Sequence, residues 1–271
     1  MAGYADKRRN LVSKSEVVAE ESANFSQFEL DRYSRQLRID GFGLTCQQRL
    51  KSSTALVSRV GGVGGAAAVN LARAGIGRLI LAHGGTVHTE YLNRWLLAMT
   101  DDVGRPCTEV MREKLHAINP AVEVLTVSEN INENNVSGLV SQADVVVDGA
   151  PLFEERYLLN REAVRQQKPL VMGAMYSTES YVTSIVPNET PCLACIYPVK
   201  PDYWTDIKVF PAIGPGPVVV GSLIAMEAIK LLTGFGQPLK NKLWFFDLEH
   251  NVVQHLHISR RADCLVCGNT K

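Results

Sequence analysis

The sequence predicts an α/β protein: a Rossmann-like, doubly wound and mostly parallel sheet, extended by antiparallel strands and stapled by a four-cysteine zinc site. Three observations carry this. Short apolar runs alternate with helical periodicity between residues 54 and 173, a glycine-rich turn joins the first run to a helix, and two Cys-x-x-Cys pairs stand at 192/195 and 264/267.

Residues 1–25 are polar and charged without sustained periodicity, which predicts a disordered N-terminal tail; residues 26–271 are read as one domain with a single continuous core. Apolar or aromatic residues at 25, 28, 30, 33 and 37 predict a short amphipathic helix that packs on the body. The run 54–58 predicts a buried strand, 61–74 a glycine-led helix and 79–82 a second strand. Helix is expected over 106–118, strand over 122–127, a short helix over 136–142 and a strand of parallel-sheet character over 143–148. A helix over 153–167 and a strand over 169–173 complete the alternation, whose ligand crevice belongs at the carboxyl ends of the strands. From Tyr176 the texture changes. An alternating strand over 181–186, a loop over 187–217, a helix over 218–233 and strands over 242–248 and 251–258 predict an antiparallel extension of the sheet.

Lys and Arg together number 28, as do Asp and Glu, so nothing in the overall charge balance argues for a nucleic-acid or membrane surface as the main partner. A small molecule or another protein is expected instead. There is no apolar run of signal-peptide length at the N-terminus, and no segment is read as reaching the roughly 20 apolar residues of a membrane helix, so the cytoplasm is the expected compartment.

Cys192-Leu-Ala-Cys195 and Cys264-Leu-Val-Cys267 each place two thiolates on one tight turn, half of a tetrahedral sulfur shell. Two halves make a closed zinc site with no position left for water, and the role is structural. The ion would close a loop of about seventy residues and tie the C-terminal end to the middle of the chain. A redox dithiol is the rival reading for either pair alone. Cys46 and Cys107 are left over and read as structural thiols.

Arg59-Val-Gly61-Gly62-Val-Gly64-Gly65 follows a strand and opens a helix, the context in which backbone amides cradle a phosphate. As a G-x-G-x-x-G fingerprint it is incomplete. Arg59 holds the first glycine position, while Gly61 and Gly64 fill the second and third. Glycines that serve only close helix-strand packing are the competing reading.

Further segments occur in a telling order: Arg32-Tyr-Ser-Arg35-Gln, the glycine turn, Leu92-Asn-Arg94, Ile118-Asn-Pro120, Pro191-Cys-Leu-Ala-Cys195, the helix from Gly221 to Lys230, and Cys264-Leu-Val-Cys-Gly268. Over about residues 28–268 the chain resembles the ubiquitin-activating-enzyme-like superfamily, in its ThiF, MoeB and HesA group. Leu81-Ala-His-Gly-Gly and Asp148-Gly-Ala-Pro-Leu-Phe look most like the HesA branch, which is associated with nitrogen-fixation gene clusters. The resemblance implies an adenylyltransferase that joins AMP from Mg-ATP to a carboxylate, often the C-terminal glycine of a ubiquitin-like sulfur carrier. It puts phosphate-contacting roles on Arg35 and Arg94, the first reaching into the partner's site across a homodimer. It puts the nucleotide cradle on Gly61, Gly62 and Gly64, and Arg156 and Asn160 on the helix after the magnesium strand.

Other positions depart from the family. Arg59 stands in the first cradle glycine's place, where its side chain is expected to point into the phosphate volume. Gly85 replaces the acid that holds the ribose hydroxyls, with His83 two residues earlier. Tyr91 replaces an asparagine, Trp95 a glutamine and Cys107 a lysine. Pro151 takes the place of the magnesium-binding aspartate, leaving Asp148 as the nearest carboxylate. Gly85 and Pro151 look shared with the HesA branch; Arg59, Trp95 and Cys107 look particular to this chain. Each loss removes about one to several kcal/mol of transition-state stabilisation, so ordinary adenylation is expected to be strongly impaired. The stretch 196–217 contains no cysteine, which argues against sulfur relay through that loop.

Two functions stay open. One is an adenylyltransferase-like enzyme of cofactor or sulfur-carrier assembly, its site rebuilt around Arg35, Arg59 and Arg94. The other is a pseudoenzyme that keeps fold, dimer and zinc, and binds a ubiquitin-like carrier or a metallocluster-assembly protein. An NAD-dependent oxidoreductase is disfavoured, because no acid ends the second strand and the zinc has no place in that account.

Overall fold

The computed structural model describes residues 24–201 and 210–268. Of the tail expected over 1–25, residues 1–23 lie outside the described residues, while Phe25 is buried beneath the ammonium of Lys51.

Eight strands form one sheet: β1 (Thr54–Ser58), β2 (Arg78–Ala82), β3 (Glu123–Val127), β4 (Val145–Asp148), β5 (Leu170–Tyr176), β6 (Glu179–Ile185), β7 (Lys242–Asp247) and β8 (Val252–His257). Their order is β3-β2-β1-β4-β5-β6-β7-β8. The first five are parallel, and β5 to β8 continue antiparallel, as the change of texture at Tyr176 predicts. Every residue of β1 and β4 is buried, which a strand covered on both faces requires. Ala55 and Val57 point into one apolar layer and Leu56 into the other, because successive side chains leave a strand on opposite sides.

The helices are α1 (Gln27–Arg32), α2 (Gly43–Lys51), α3 (Gly62–Ala74), α4 (Cys107–Ile118), α5 (Val136–Ser141), α6 (Phe153–Arg165), α7 (Leu193–Ile196) and α8 (Pro215–Thr233). Leu50, Ala67, Val110 and Val220 bring α2, α3, α4 and α8 to the first layer. Leu139, Leu159 and Leu193 bring α5, α6 and α7 to the second, together with the four paired cysteines.

Three expectations need correction. The N-terminal helix ends at Arg32, because Tyr33 turns inward: its hydroxyl accepts from Asn119 Nδ2 at 3.0 Å and its ring lies against Gly75. Helix α2 is not anticipated by the sequence pattern; its inward face includes Gln47, fully buried, whose amide donates to the Ala74 carbonyl, so apolar periodicity does not reveal it. Helix α8 starts at Pro215, a favoured first-turn position for proline, and its 19 residues with mean hydropathy 1.5 are long and apolar enough to cross a membrane. It is nonetheless a core helix. Half of it is buried, and its Glu227 accepts inside the protein from Ser184 Oγ at 2.7 Å and the Leu239 amide at 2.6 Å.

Candidate functional site

Strand order reverses between β1 and β4, and the crevice at their carboxyl ends is where a doubly wound sheet offers a ligand site. The turn from β1 into α3 keeps the shape of a glycine cradle. A Cβ on Gly64 would lie 2.3 Å from the Arg59 carbonyl oxygen, and one on Gly149 would lie 2.8 Å from the Gly64 nitrogen, so the two loops touch through bare backbone.

Arg59 has φ +58°, the left-handed conformation that the missing glycine would adopt without strain. An L side chain there costs roughly 1–2 kcal/mol. Its guanidinium does not stand free in the phosphate volume. Nε lies 3.0 and 2.9 Å from the two carboxylate oxygens of Glu155, in the first turn of α6, with only 18% and 7% of the two side chains exposed. The pair spans the crevice from the β1 side to the β4 side.

Asp148, at the end of β4, is equally committed. Its carboxylate accepts from Arg156 Nη1 at 3.1 Å and from the Ala150 amide at 2.9 Å, with Ser58 Oγ at 3.5 Å. Arg156 Nη2 continues to the Gly173 carbonyl on β5. Burial pushes the Asp148 carboxyl upward while Arg156 opposes it. The acid nearest to the metal position is therefore wholly buried and held by a cation.

Over the cradle lies an aromatic column. The Trp95 indole sits on Gly61, with Nε1 3.1 Å and two ring carbons 3.3 Å from where a Cβ would be. Tyr91 stacks on Trp95 with centroids 4.4 Å apart, His88 stacks on Tyr91 at 5.1 Å, and His83 tilts against Trp95 at 5.2 Å. His83 is buried and its Nδ1 has no hydrogen-bond partner among the described residues; burial first, then the Arg59 charge, lowers its pKa to about 3. Cys107 opens α4 with its amide on the Gly85 carbonyl, and burial pushes its thiol up to about 11, as befits a structural thiol.

Arg94 lies beside the cradle: its Cγ is 3.5 Å from the Cβ position of Gly62, where Pro217 also packs. Its guanidinium donates to the Glu90 carbonyl and, at 2.8 Å, to Asn93 Oδ1. Arg35 is elsewhere. It is exposed next to Gln36, whose amide donates to the Ala74 carbonyl at the C-terminal end of α3, while the cradle is at the N-terminal end. Thirteen helical residues, about 20 Å, separate the two ends. Within one protomer Arg59, Gly61, Gly62, Gly64, Arg94 and Asp148 gather at the crevice and Arg35 does not.

The four paired cysteines converge on the opposite face of the sheet. All four sulfurs lie within 4.8 Å of one another, with Cys192 to Cys264 at 3.7 Å and Cys195 to Cys267 at 3.3 Å. Zinc–sulfur bonds of roughly 2.3 Å in a tetrahedron set sulfur atoms about 3.8 Å apart, so the donor set fits that ion and leaves no open position. All four side chains are buried, and a Cβ on Gly268 would lie 2.6 Å from the Cys264 carbonyl, so the second turn needs its glycine.

Two residues escape the sequence reading. Glu155 is one; an arginine at a glycine position beside the buried crevice needs a nearby anion, and the Glu154-Glu155 run is the available signal. Asn160 is the other. The resemblance puts it on the helix after the magnesium strand, where it stands; what the sequence does not show is that its Oδ1 accepts from the Leu193 amide at 2.8 Å, in the first cysteine turn.

A parallel sheet with a glycine cradle at its switch point and a four-sulfur cluster behind it defines a nucleotide-site α/β protein of the adenylyltransferase fold. The chain belongs to the ThiF family, whose profile matches residues 33–266. It is 45% identical over 246 residues to the heterocyst protein HesA of Trichormus variabilis, covering 91% of each chain. It is 32% identical over 240 residues to the sulfur carrier protein ThiS adenylyltransferase of Escherichia coli, covering 88% of this chain and 95% of that one. Among solved structures it resembles E. coli MccB with ATP, at TM-score 0.79 and 27% identity, over 88% of this chain and 75% of that one.

Proposed function

We propose that this chain is an adenylyltransferase-fold protein of cofactor or sulfur-carrier assembly whose crevice does not turn over Mg-ATP, and that it acts by holding a protein partner. The observation that carries the reading is the Trp95 ring packed on Gly61, the glycine that caps the cradle helix. Arg59 and Asp148, which would otherwise serve the triphosphate and its metal, are bound to Glu155 and Arg156. ATP and magnesium do not fit the residues present. The partner class is a ubiquitin-like carrier or a metallocluster-assembly protein, with neither nucleic acid nor membrane involved. A link to nitrogen fixation rests on the HesA likeness alone. Cytoplasmic localisation and a single domain over 26–271 complete the reading.

Arg35 is exposed and away from its own crevice, and the family resemblance gives it a role in a neighbour's site; on that ground the chain is proposed to act as a homodimer. Light scattering at micromolar concentration returns twice the protomer mass. The cysteines hold one structural zinc, whose chemistry is cross-linking alone.

Calorimetry with Mg-ATP, followed by pyrophosphate exchange with carrier-protein carboxylates, tests the crevice. The wild type shows neither tight binding nor exchange. Exchange at a rate above background overturns the reading and returns the chain to the adenylyltransferases, for which Arg94, still beside Gly62, is the supporting observation.

A further inference from the structure

Helix α6 reaches the crevice with its first turn and the cysteine cluster farther along. Asn160 makes the second contact and is 1% exposed. Its Oδ1 accepts the backbone N–H of Leu193 at 2.8 Å, the residue that follows Cys192, and so pins the first cysteine turn to α6. The other end of the same carboxamide, Nδ2, is buried and has no hydrogen-bond partner, oxygen or sulfur, among the described residues. Cys192 directly precedes Leu193, and the carboxamide acts on its thiol: burial raises the thiol and the Asn160 side chain opposes that rise. A buried amide donor without an acceptor is costly. A neutral thiol accepts weakly, whereas a metal-bound thiolate carries negative charge and has lone pairs to spare. Cys195 already has a donor of this kind in the Arg261 amide, 3.4 Å from its sulfur. For the Cys192 sulfur, the unpartnered Asn160 Nδ2, anchored through Oδ1 at the next residue, is the side-chain donor at hand.

We propose that Asn160 is a positioning residue of the zinc site: Oδ1 fixes the turn that carries Cys192, and Nδ2 donates an N–H···S bond to the Cys192 thiolate in the metal-bound protein. The inference rests on the four-cysteine zinc reading above. It gives the carboxamide two jobs at one ligand. Alanine loses both, while the near-isosteric Asn160→Asp keeps the acceptor, loses the amide donor and adds a negative charge beside the thiolates, so both variants perturb the sulfur.

The test uses the full-length chain. Zinc affinity is measured by competition with a chromophoric chelator, and the cobalt(II)-loaded protein is read by its sulfur-to-cobalt charge-transfer band, which a purely structural role does not move. Wild type binds one zinc; N160D and N160A bind ~10–100-fold more weakly, and the band shifts in both. An unshifted band in folded N160D overturns the proposal whatever its zinc affinity. The wild type gives a reading that needs no variant: zinc loading slows proton exchange at the Asn160 carboxamide, and exchange indifferent to zinc also overturns it. A wild type that takes up no zinc defeats the zinc reading itself, before any variant is made.

Discussion

Replacing Arg59 by glycine tests the closed crevice most directly, because two effects of opposite sign are both visible in the structure. Glycine releases the strain of φ +58°, a gain of roughly 1–2 kcal/mol. It also leaves Glu155, with 7% of its side chain exposed, as a buried carboxylate without its cation, for which the penalty is about 3–5 kcal/mol. The second effect wins. R59G is expected to lose about 2 kcal/mol, a fall in Tm of about 4–8 °C for a chain of this size. E155Q loses less, because Arg59 is more exposed, at 18%, and retains a neutral acceptor. The double variant R59G/E155Q has neither strain nor orphan charge and returns to within about 1 kcal/mol of wild type. Urea denaturation of the zinc-loaded protein, followed by circular dichroism across all four corners of the cycle, supplies the numbers. Additive single effects would show that Arg59 and Glu155 do not act on each other, and a wild-type-like R59G would show that the pair does not hold the crevice shut.

His83 makes stability depend on pH with a definite sign. Its pKa is about 3 when folded and 6.5 ordinarily, so below 6.5 the unfolded chain takes a proton that the folded one refuses; stability drops as the pH is lowered, by up to about 1.4 kcal/mol per unit through that window. H83F removes this slope between pH 6 and 4, read as the difference in urea midpoints, and an equal slope in both proteins contradicts the burial of the imidazole. Stripping the metal with a strong chelator at neutral pH opens a cross-link between positions 72 residues apart, which costs about 4 kcal/mol on the loop-closure scale. C264S reproduces that loss and is insensitive to chelator; a chelator effect of equal size in C264S contradicts a metal held by all four sulfurs.

The parallel half of the sheet was legible because β1 and β4 are buried on both faces and read as unbroken apolar runs. The cysteine cluster was legible because its spacing is local. What escaped depends on groups far apart in sequence. Nothing near Arg59 announces Glu155, 96 positions away, and nothing near Asn160 announces Leu193, 33 positions on. Tyr91, Trp95 and His83 were each recognisable as departures from the family, but stacking is a property of the assembled column. The backbone was more legible than the side chains for a related reason: Arg59 keeps the conformation of the glycine it replaces, because Gly64 and Gly149 leave the turn no other path.

The charge inventory of the crevice bears on its function more than any single substitution. A triphosphate site holds cations in excess, awaiting negative charge that the ligand and its metal bring. Here the Arg59 and Arg156 guanidiniums each meet a carboxylate, Glu155 at 2.9 Å and Asp148 at 3.1 Å, so the floor of the crevice is neutral by itself. Among the described residues, Arg94 differs from these two arginines in that its acceptors, the Glu90 carbonyl and Asn93 Oδ1, are neutral. A nucleotide entering would have to displace the indole from Gly61 and compete with two internal carboxylates for the cations it needs. Replacing Pro151 by aspartate adds a third anion to a balanced set without freeing a cation, so on the proposed function P151D alone shows no tight Mg-ATP binding by calorimetry. Recovery requires removing Trp95 and neutralising Glu155, which frees Arg59, in the same chain.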